Sequence, residues 1–219
     1  MKKICLILLT FSMLFCACSK EDDDYIKLSS QETKQYCEAI AGSYKAKGYT
    51  VLVSQKDFNN SEVIAQQDKI DDLFITIDDK DHSLIFWDVP VNALANLLPE
   101  NSGARKVLEE CGPISFTTTY SFENTVVSIK GEKLVNLLSK SVPYYLSAKY
   151  DSKPHQITLN IRPCGVYLPY TSNMKAVREE FLKSEIRFDI TSMKVDDEEY
   201  KHFDLMVVTE IAEESELEK

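Results

Sequence analysis

The stretch IRFDITSMKVDDEEYKHFDLMVV, residues 186–208, decides the fold class. Apolar and polar residues alternate on both sides of the acidic run at 196–199. The alternating apolar residues are Ile186, Phe188, Ile190, Phe203, Leu205 and Val207. Because successive side chains of a strand point to opposite faces, this pattern predicts an antiparallel hairpin with one buried face.

The same kind of pattern extends toward the N terminus. It predicts a first strand at 44–53 and then a polar loop at 55–68. Three further hairpins are predicted at 73–89, 114–129 and 144–162. Within the first of them, Trp87 stands among apolar residues and is expected in the core.

Four helices are predicted around these hairpins. The first begins at Ser29, because Ser29 and Glu32 have the spacing of a capping box, and it ends near Gly42. The other three are expected at 91–98, at 132–139 and after a cap at Thr171 or Ser172.

About ten short strands without βαβ alternation predict a mainly β (α+β) fold with an antiparallel sheet. An antiparallel β-sandwich and a curved, barrel-like sheet both fit this pattern. About three to five short helices would pack on one face or plug one end.

The predicted organisation is one β-rich domain at 29–211, preceded by an acidic tether at 18–28 and followed by a disordered charged tail at 212–219. The segments LANLL at 94–98 and LVNLL at 134–138 agree at four of five positions. This similarity suggests a duplicated hairpin-and-helix unit over 73–98 and 114–138.

The composition of the 219 residues excludes several classes of protein. Hydrophobic residues make up 44% of the chain, which excludes a disordered protein. There are 25 Lys and Arg against 35 Asp and Glu, a net charge of −10. Because nucleic acids are bound mainly through neutralisation of phosphates by Lys and Arg, this balance argues against a nucleic-acid partner.

Residues 1–17 are predicted to be a secretory signal peptide, because Lys2 and Lys3 precede a short apolar segment. The alternative is a permanent membrane-spanning helix. Such a helix needs about 20 apolar residues, and this segment is shorter.

The end of the leader, FCAC at 15–18, resembles a bacterial lipobox. The resemblance implies cleavage before Cys18 and lipidation of Cys18, with Cys16 as the alternative site. The following KEDDD at 20–24 is similar to the export signal of Bacteroidota surface lipoproteins, which implies the outer membrane and its exterior face. Several acyl chains on one residue would hold the protein firmly on a bilayer.

Cleavage there leaves three other cysteines, Cys37, Cys111 and Cys164. One disulfide with one free thiol and three free thiols are both compatible with this spacing.

The chain lacks the sequence motifs of serine hydrolases, zinc peptidases, phosphate-binding loops and dinucleotide-binding folds, so no cofactor and no catalytic residue is predicted. Ser172 and Lys175 have the Ser-x-x-Lys spacing, but its partner motifs are missing. Asp79 and Asp81 lie in an acidic turn and are a weak alternative for a metal site, without the glycine and glutamate of a calcium loop.

Five tyrosines lie within residues 144–170. Tyr144, Tyr150, Tyr167 and Tyr170 are the candidate ligand-binding residues, since aromatic rings can stack on sugars or peptides. Tyr145 would face away from Tyr144 on a strand. Cross-strand packing is the alternative explanation of this enrichment.

Taken together, the leader through Asp24, the AGSY segment at 41–44 and the hairpin pattern ending at Val208 resemble Bacteroidota lipoproteins built on an uncharacterised domain of the DUF4840 type. The GSY at 42–44 is also similar to the GTY that opens lipocalin-like barrels. These families carry no established function or catalytic residues that transfer to this chain.

The sequence therefore predicts a lipid-anchored surface protein that binds a glycan, peptide or protein and is not an enzyme. The alternatives are a lipocalin-like carrier of an apolar ligand and an unrecognised hydrolase.

Overall fold

A computed structural model describes residues 26–57, 60–163 and 165–214. Over these residues the helices are α1 (Ser30–Ile40), a 3₁₀ helix (Asn92–Leu97), α2 (Gly103–Glu110) and α3 (Met174–Phe181). The strands are β1 (Gly42–Asp57), β2 (Asn60–Asp78), β3 (Ser83–Val89), β4 (Ile114–Phe122), β5 (Val127–Ile129), β6 (Glu132–Ser139), β7 (Val142–Tyr150), β8 (Lys153–Pro163), β9 (Val166–Pro169), β10 (Glu185–Val195), β11 (Glu198–Tyr200) and β12 (Phe203–Glu214).

The strands form one antiparallel sheet in the order β5-β6-β4-β3-β2-β1-β12-β10-β8-β7. β9 directly follows β8 in the chain but pairs with β6, near the other end of this order. The chain from β8 to β9 thus connects the two ends of the sheet, which curls into a half-barrel. The predicted mainly β, antiparallel fold is confirmed, and the curved sheet is the form that it takes.

The two ends of the half-barrel are filled by different helices. At one end, called the α1 end, Gly42 pairs with Ile77, and α1 packs its Tyr36 ring 5.4 Å from that of Phe122. At the opposite end, called the arm end, β1 and β2 extend as a hairpin arm beyond Ser54, where β12 begins. The 3₁₀ helix and α2 pack toward this arm end.

The hairpin predicted at 186–208 is present. β10 pairs with β12 through contacts such as Phe188 opposite Val207, and a short β11 lies between them. All six alternating apolar residues are buried. Burial of one face therefore determines the register of these strands, as the alternation predicts.

The polar loop predicted at 55–68 is wrong, because most of that segment belongs to β1 and β2. Val63 and Ile64 of the arm are 58% and 38% exposed. The pairing of β1 with β2 also shifts register at four places. A solvent-exposed arm with β-bulges has no steady apolar alternation, so the pattern that marks a half-buried strand is missing.

The helix predicted at 132–139 is also wrong, because this segment is β6. Val135, Asn136 and Leu137 are buried in succession, which removes the alternation expected of a strand. Residues 125–129 were predicted to pair with β4, but the strand that pairs with β4 is β6. The second unit, 114–138, is therefore not a hairpin followed by a helix, unlike 73–98.

Smaller corrections concern boundaries and one side chain. The final residues of the predicted tether, 26–28, pair with 124–126, and β12 continues to Glu214, inside the predicted tail. Asn173 caps α3 in place of Thr171 or Ser172.

The expected core position of Trp87 is wrong. Trp87 is 40% exposed on the convex face, where its indole donates to Thr76. The predicted signal peptide, residues 1–17, and residues 215–219 lie outside the described residues.

Tyr44 connects α1, β1 and α3 at the α1 end. Its side chain is fully buried, and its hydroxyl donates to the Ile40 carbonyl at 2.7 Å. The guanidinium of Arg178 lies over the Tyr44 ring and donates to the Ala39 carbonyl at 2.8 Å. These donors satisfy carbonyls at the end of α1 that lack partners within the helix. The predicted capping box of Ser29 and Glu32 satisfies the other end.

We expect Tyr44→Phe to lower the free energy of unfolding by about 1–2 kcal/mol, because the buried Ile40 carbonyl loses its closest donor. Urea denaturation measures this change. The matched control is Tyr145→Phe, since Tyr145 is 58% exposed, and it should shift the unfolding free energy by less than about 0.5 kcal/mol. Equal effects of the two substitutions would contradict this role of the Tyr44 hydroxyl.

Candidate functional site

The four candidate tyrosines do not form one surface. Tyr144 and Tyr150 project from β7 toward the concave side, since Tyr144 pairs with the fully buried Leu159. Tyr167 lies on the convex side of β9, where it is 48% exposed. Tyr170 follows β9 and donates to Glu32 of α1 at 3.1 Å.

Tyr150 has a packing role at the arm end. Its ring stacks on the His155 imidazole with centroids 3.6 Å apart, and it contacts the first residue of α2, Gly103. A Cβ at Gly103 would stand 2.2 Å from the Tyr150 ring. Tyr150 therefore holds α2 against the sheet.

Tyr170 has a corresponding role at the α1 end. The hydrogen bond to the Glu32 carboxylate raises the pKa of Tyr170. Beside it, the Tyr36 hydroxyl donates to the Pro169 carbonyl at 2.7 Å and accepts from the Thr171 amide at 3.0 Å. These contacts fix the start of α1 to the segment between β9 and α3.

Tyr167 is the candidate tyrosine that lines a groove. This groove, called the Tyr167 groove, has a volume of about 670 Å³ and lies between β6, β9 and α3. Its lining residues are Glu132, Lys133, Leu134, Tyr167, Pro169, Ala176, Glu179, Glu180 and Lys183. Leu134 pairs directly with Pro169, so two apolar side chains lie beside the Tyr167 ring on the same face.

Charged groups surround this apolar floor. α3 turns Val177 and Phe181 into the core, which leaves Glu179 and Glu180 on its outer side. Lys183 lies 3.8 Å from Glu180. An aromatic ring between carboxylates and ammonium groups can stack on an apolar ring face and hydrogen-bond to the polar groups at its edge.

A buried asparagine supports the strand that carries this groove. Asn136 pairs with Tyr167, is 7% exposed and donates from Nδ2 to Glu123 at 3.2 Å. A Cβ at Gly165 would stand 2.6 Å from Asn136 Oδ1. The absence of a side chain at Gly165 therefore allows β9 to lie close to β6.

Sequence reasoning identified Tyr167 but not the helix residues Ala176, Glu179 and Glu180. The acidic spacing on the polar side of α3 was available as a signal. This signal does not reveal that β9 pairs with β6. The pairing brings together residues that are about 33 positions apart in the chain, and no local sequence pattern encodes it.

An Asp–His pair lies at the arm end. Asp196 Oδ2 is 2.6 Å from His155 Nδ1, while His155 Nε2 is buried without a hydrogen-bond partner among the described residues. A hydrolase would need a nucleophile at Nε2. The Ser-x-x-Lys motif is at the other end of the molecule, where Lys175 is 85% exposed and 3.8 Å from Glu179. The lysine is solvated there, which is unfavourable for taking a proton from serine.

The interior leaves little room for a carried ligand. A cavity under β4 and β6, lined by residues such as Leu84, Tyr120 and Ser139, has a volume of about 10 Å³. This volume holds about one water molecule. The described half-barrel is thus packed with side chains at this position, which disfavours a lipocalin-like carrier.

The acidic turn at 78–81 is stabilised by its own backbone. One Asp78 carboxylate oxygen accepts from the amides of Lys80 and Asp81 at 2.8 and 2.9 Å, which holds the pKa of Asp78 below its usual value. Among the described residues no group of three or more His, Cys, Asp or Glu side chains could hold a metal, and this includes Asp79 and Asp81.

Cys37 and Cys111 are free thiols, the first of them buried. Burial raises the pKa of both thiols, which lowers their reactivity. Cys18 and Cys164 lie outside the described residues.

The family model described as domain of unknown function DUF4840 matches residues 39–181. The match covers more than half of the chain, which therefore belongs to the DUF4840 family. No curated protein and no solved structure matches the chain at a significant level. Within the described residues, no helix has the length and apolar character needed to span a bilayer. The Bacteroidota origin and the lipoprotein nature remain predictions.

The Asp196–His155 contact makes stability depend on pH. Hydrogen bonds from His155 and from the Gln156 amide hold the pKa of Asp196 below its usual value of 3.8. Such a carboxyl contributes stability above its unfolded-state pKa and loses it as the pH falls through its folded-state pKa. We expect Asp196→Asn to lower the urea midpoint at about pH 6 and to have less effect at about pH 2.

The matched control is Asp197→Asn, because the neighbouring Asp197 side chain is fully exposed. It should leave the pH profile of the urea midpoint unchanged. If Asp196→Asn lowered the urea midpoint by the same amount at both pH values, the proposed dependence of stability on the Asp196–His155 contact would be contradicted.

Proposed function

We propose that this DUF4840 protein is a lipid-anchored, non-catalytic binding module on the outer face of the outer membrane, and that its Tyr167 groove binds a neutral glycan. The membrane is its partner through lipid on Cys18, and the glycan is its ligand. The observation that carries the proposal is an exposed tyrosine on an apolar floor flanked by carboxylates.

The proposed anchoring is supported by the leader. Lys2 and Lys3, a short apolar segment and the FCAC at 15–18 match the order of parts in lipoprotein signal peptides. Each buried CH₂ of an acyl chain contributes about 0.8 kcal/mol, so several chains on Cys18 would give stable attachment. The acidic run at 21–24 would keep the folded domain in water.

We expect Cys18→Ala to abolish acylation at residue 18, because the thiol that would carry the lipid is removed. Mass spectrometry of the purified protein measures the modification at residue 18. Cys16→Ala is the control, since Cys16 leaves with the signal peptide and its loss should leave the acylation unchanged. An uncut and unmodified N terminus in the native protein would contradict the anchor.

The groove favours a neutral glycan over a charged polymer. The C–H groups of a sugar ring can pack on the Tyr167 ring and on Leu134, while its hydroxyls can donate to Glu132, Glu179 or Glu180. The net charge of −10 disfavours polyanions. An extended peptide is the other ligand that such a groove could accept, and it is distinguished by the test below.

We expect Tyr167→Ala to weaken binding of xylan, mannan or starch oligosaccharides by at least about tenfold, because the stacking surface is lost. Isothermal titration calorimetry with each oligosaccharide measures the affinity. The matched control is Tyr145→Ala, which removes another exposed tyrosine that does not line the groove. Neither variant should change the unfolding free energy by more than about 1 kcal/mol.

Absence of binding to every oligosaccharide would contradict the glycan proposal. Binding of a peptide library that depends on Tyr167 would replace it with a peptide-binding role. Equal loss of sugar binding in both variants would place the ligand outside the Tyr167 groove.

A further inference from the structure

We infer that the turn between β5 and β6, here called the β5–β6 tip (residues 129–131), is a second contact with the membrane and inserts Ile129 among phosphate-bearing lipids. This inference rests on the proposed anchor at Cys18. It adds an orientation of the domain on the bilayer and a lipid-binding element that the anchor alone does not require.

The first step is the direction in which the chain leaves the domain. The Val126 amide donates to the Ile26 carbonyl at 2.9 Å, Lys27 pairs with Thr125, and the Leu28 amide donates to the Asn124 carbonyl at 2.8 Å. Because this pairing is antiparallel, the path from Leu28 back to Ile26 runs in the direction from Asn124 toward Ile129. The chain that leads to Cys18 therefore leaves toward the β5–β6 tip.

The second step is distance. Seven residues, 19–25, separate Cys18 from Ile26, and the eight Cα–Cα steps between them span at most about 28 Å when fully extended. The β5–β6 tip is only three to four residues beyond Val126, about 10–13 Å along β5. The tip thus lies ahead of Ile26, in the direction in which residues 28 to 26 run.

The third step is the chemistry of the tip. Ile129 is a large apolar side chain and is 38% exposed. Lys130 and Gly131 form the turn with positive φ angles of 52° and 85°, a geometry that suits a tight hairpin. Lys130 and Lys133 are exposed beside Ile129 and Glu132 pairs with it, so the tip carries two positive charges against one negative charge, although the chain as a whole is acidic. An apolar residue between lysines is complementary to the acyl and phosphate layers of a bilayer.

The opposite end of the molecule provides a matched reference. Ile64 has the same residue type and the same 38% exposure, but it lies on the hairpin arm at the arm end. If exposed isoleucines simply adhered to lipid, both residues would contact the bilayer. The orientation proposed here requires contact at Ile129 alone.

The experiment uses the mature chain in a Trp87→Phe background with either Ile129→Trp or Ile64→Trp. Each protein is reconstituted through its lipid in vesicles of phosphatidylglycerol and phosphatidylcholine, with and without bromine on the acyl chains. We expect brominated lipid to lower the Ile129→Trp fluorescence at least about twofold and to leave that of Ile64→Trp unchanged. Circular dichroism confirms that both variants are folded.

A second preparation separates this inference from the proposed anchor. A histidine tag in place of Cys18 holds the same chain on vesicles that contain nickel-chelating lipid, so it does not depend on acylation. The Ile129→Trp quenching should persist there and should fall when Lys130 and Lys133 are both changed to Glu.

Unquenched Ile129→Trp on these vesicles overturns the inference, whether or not Cys18 is acylated. If the Lys130→Glu and Lys133→Glu changes left the quenching of Ile129→Trp unchanged, the proposed role of lipid phosphates would be overturned. Equal quenching of Ile129→Trp and Ile64→Trp would overturn the proposed orientation.

Discussion

The buried hydroxyl of Tyr44 is the constraint on which the arrangement of the α1 end depends. A tyrosine can be buried completely only if its hydroxyl finds a partner, and here the partner is the last turn of α1. The bond fixes the angle between α1 and β1. Arg178 then fits over the same ring and bonds to the same turn, which positions α3 and with it one wall of the Tyr167 groove.

Filling the ends of the half-barrel with helices determines where a ligand can bind. The α1 end is occupied by α1 and α3, and the arm end by α2 against Tyr150. Lipocalin-like barrels keep one end open to reach an interior cavity. In this chain the described interior is packed, so the larger concavity lies on the outside, where α3 meets β6 and β9.

Local sequence patterns correctly predicted the elements that have one buried face and one solvent-exposed face. The hairpin at 186–208, the capping box at Ser29 and the fold class follow from such patterns and are confirmed. The prediction for β6 was wrong because three successive residues of this strand, Val135, Asn136 and Leu137, are buried. The prediction for the β1–β2 arm was wrong because the arm is exposed and contains β-bulges. The Tyr167 groove depends on the pairing of β9 with β6, and a one-residue change of that register would turn Tyr167 into the core. The sequence could therefore nominate the tyrosine but not its neighbours.

Charge distribution relates the Tyr167 groove to the proposed membrane contact. A chain with a net charge of −10 is repelled by a phosphate-bearing surface, and at physiological salt this repulsion extends over about 8 Å. Contact is therefore favourable only where the local charge is reversed, as it is at the β5–β6 tip, where Lys130 and Lys133 outnumber Glu132. The Tyr167 groove begins beside this tip, at Glu132 and Lys133, and opens on the convex side of the sheet. A domain held by its tip would thus present the groove sideways, where a polymer lying along the cell surface can reach it without displacing lipid.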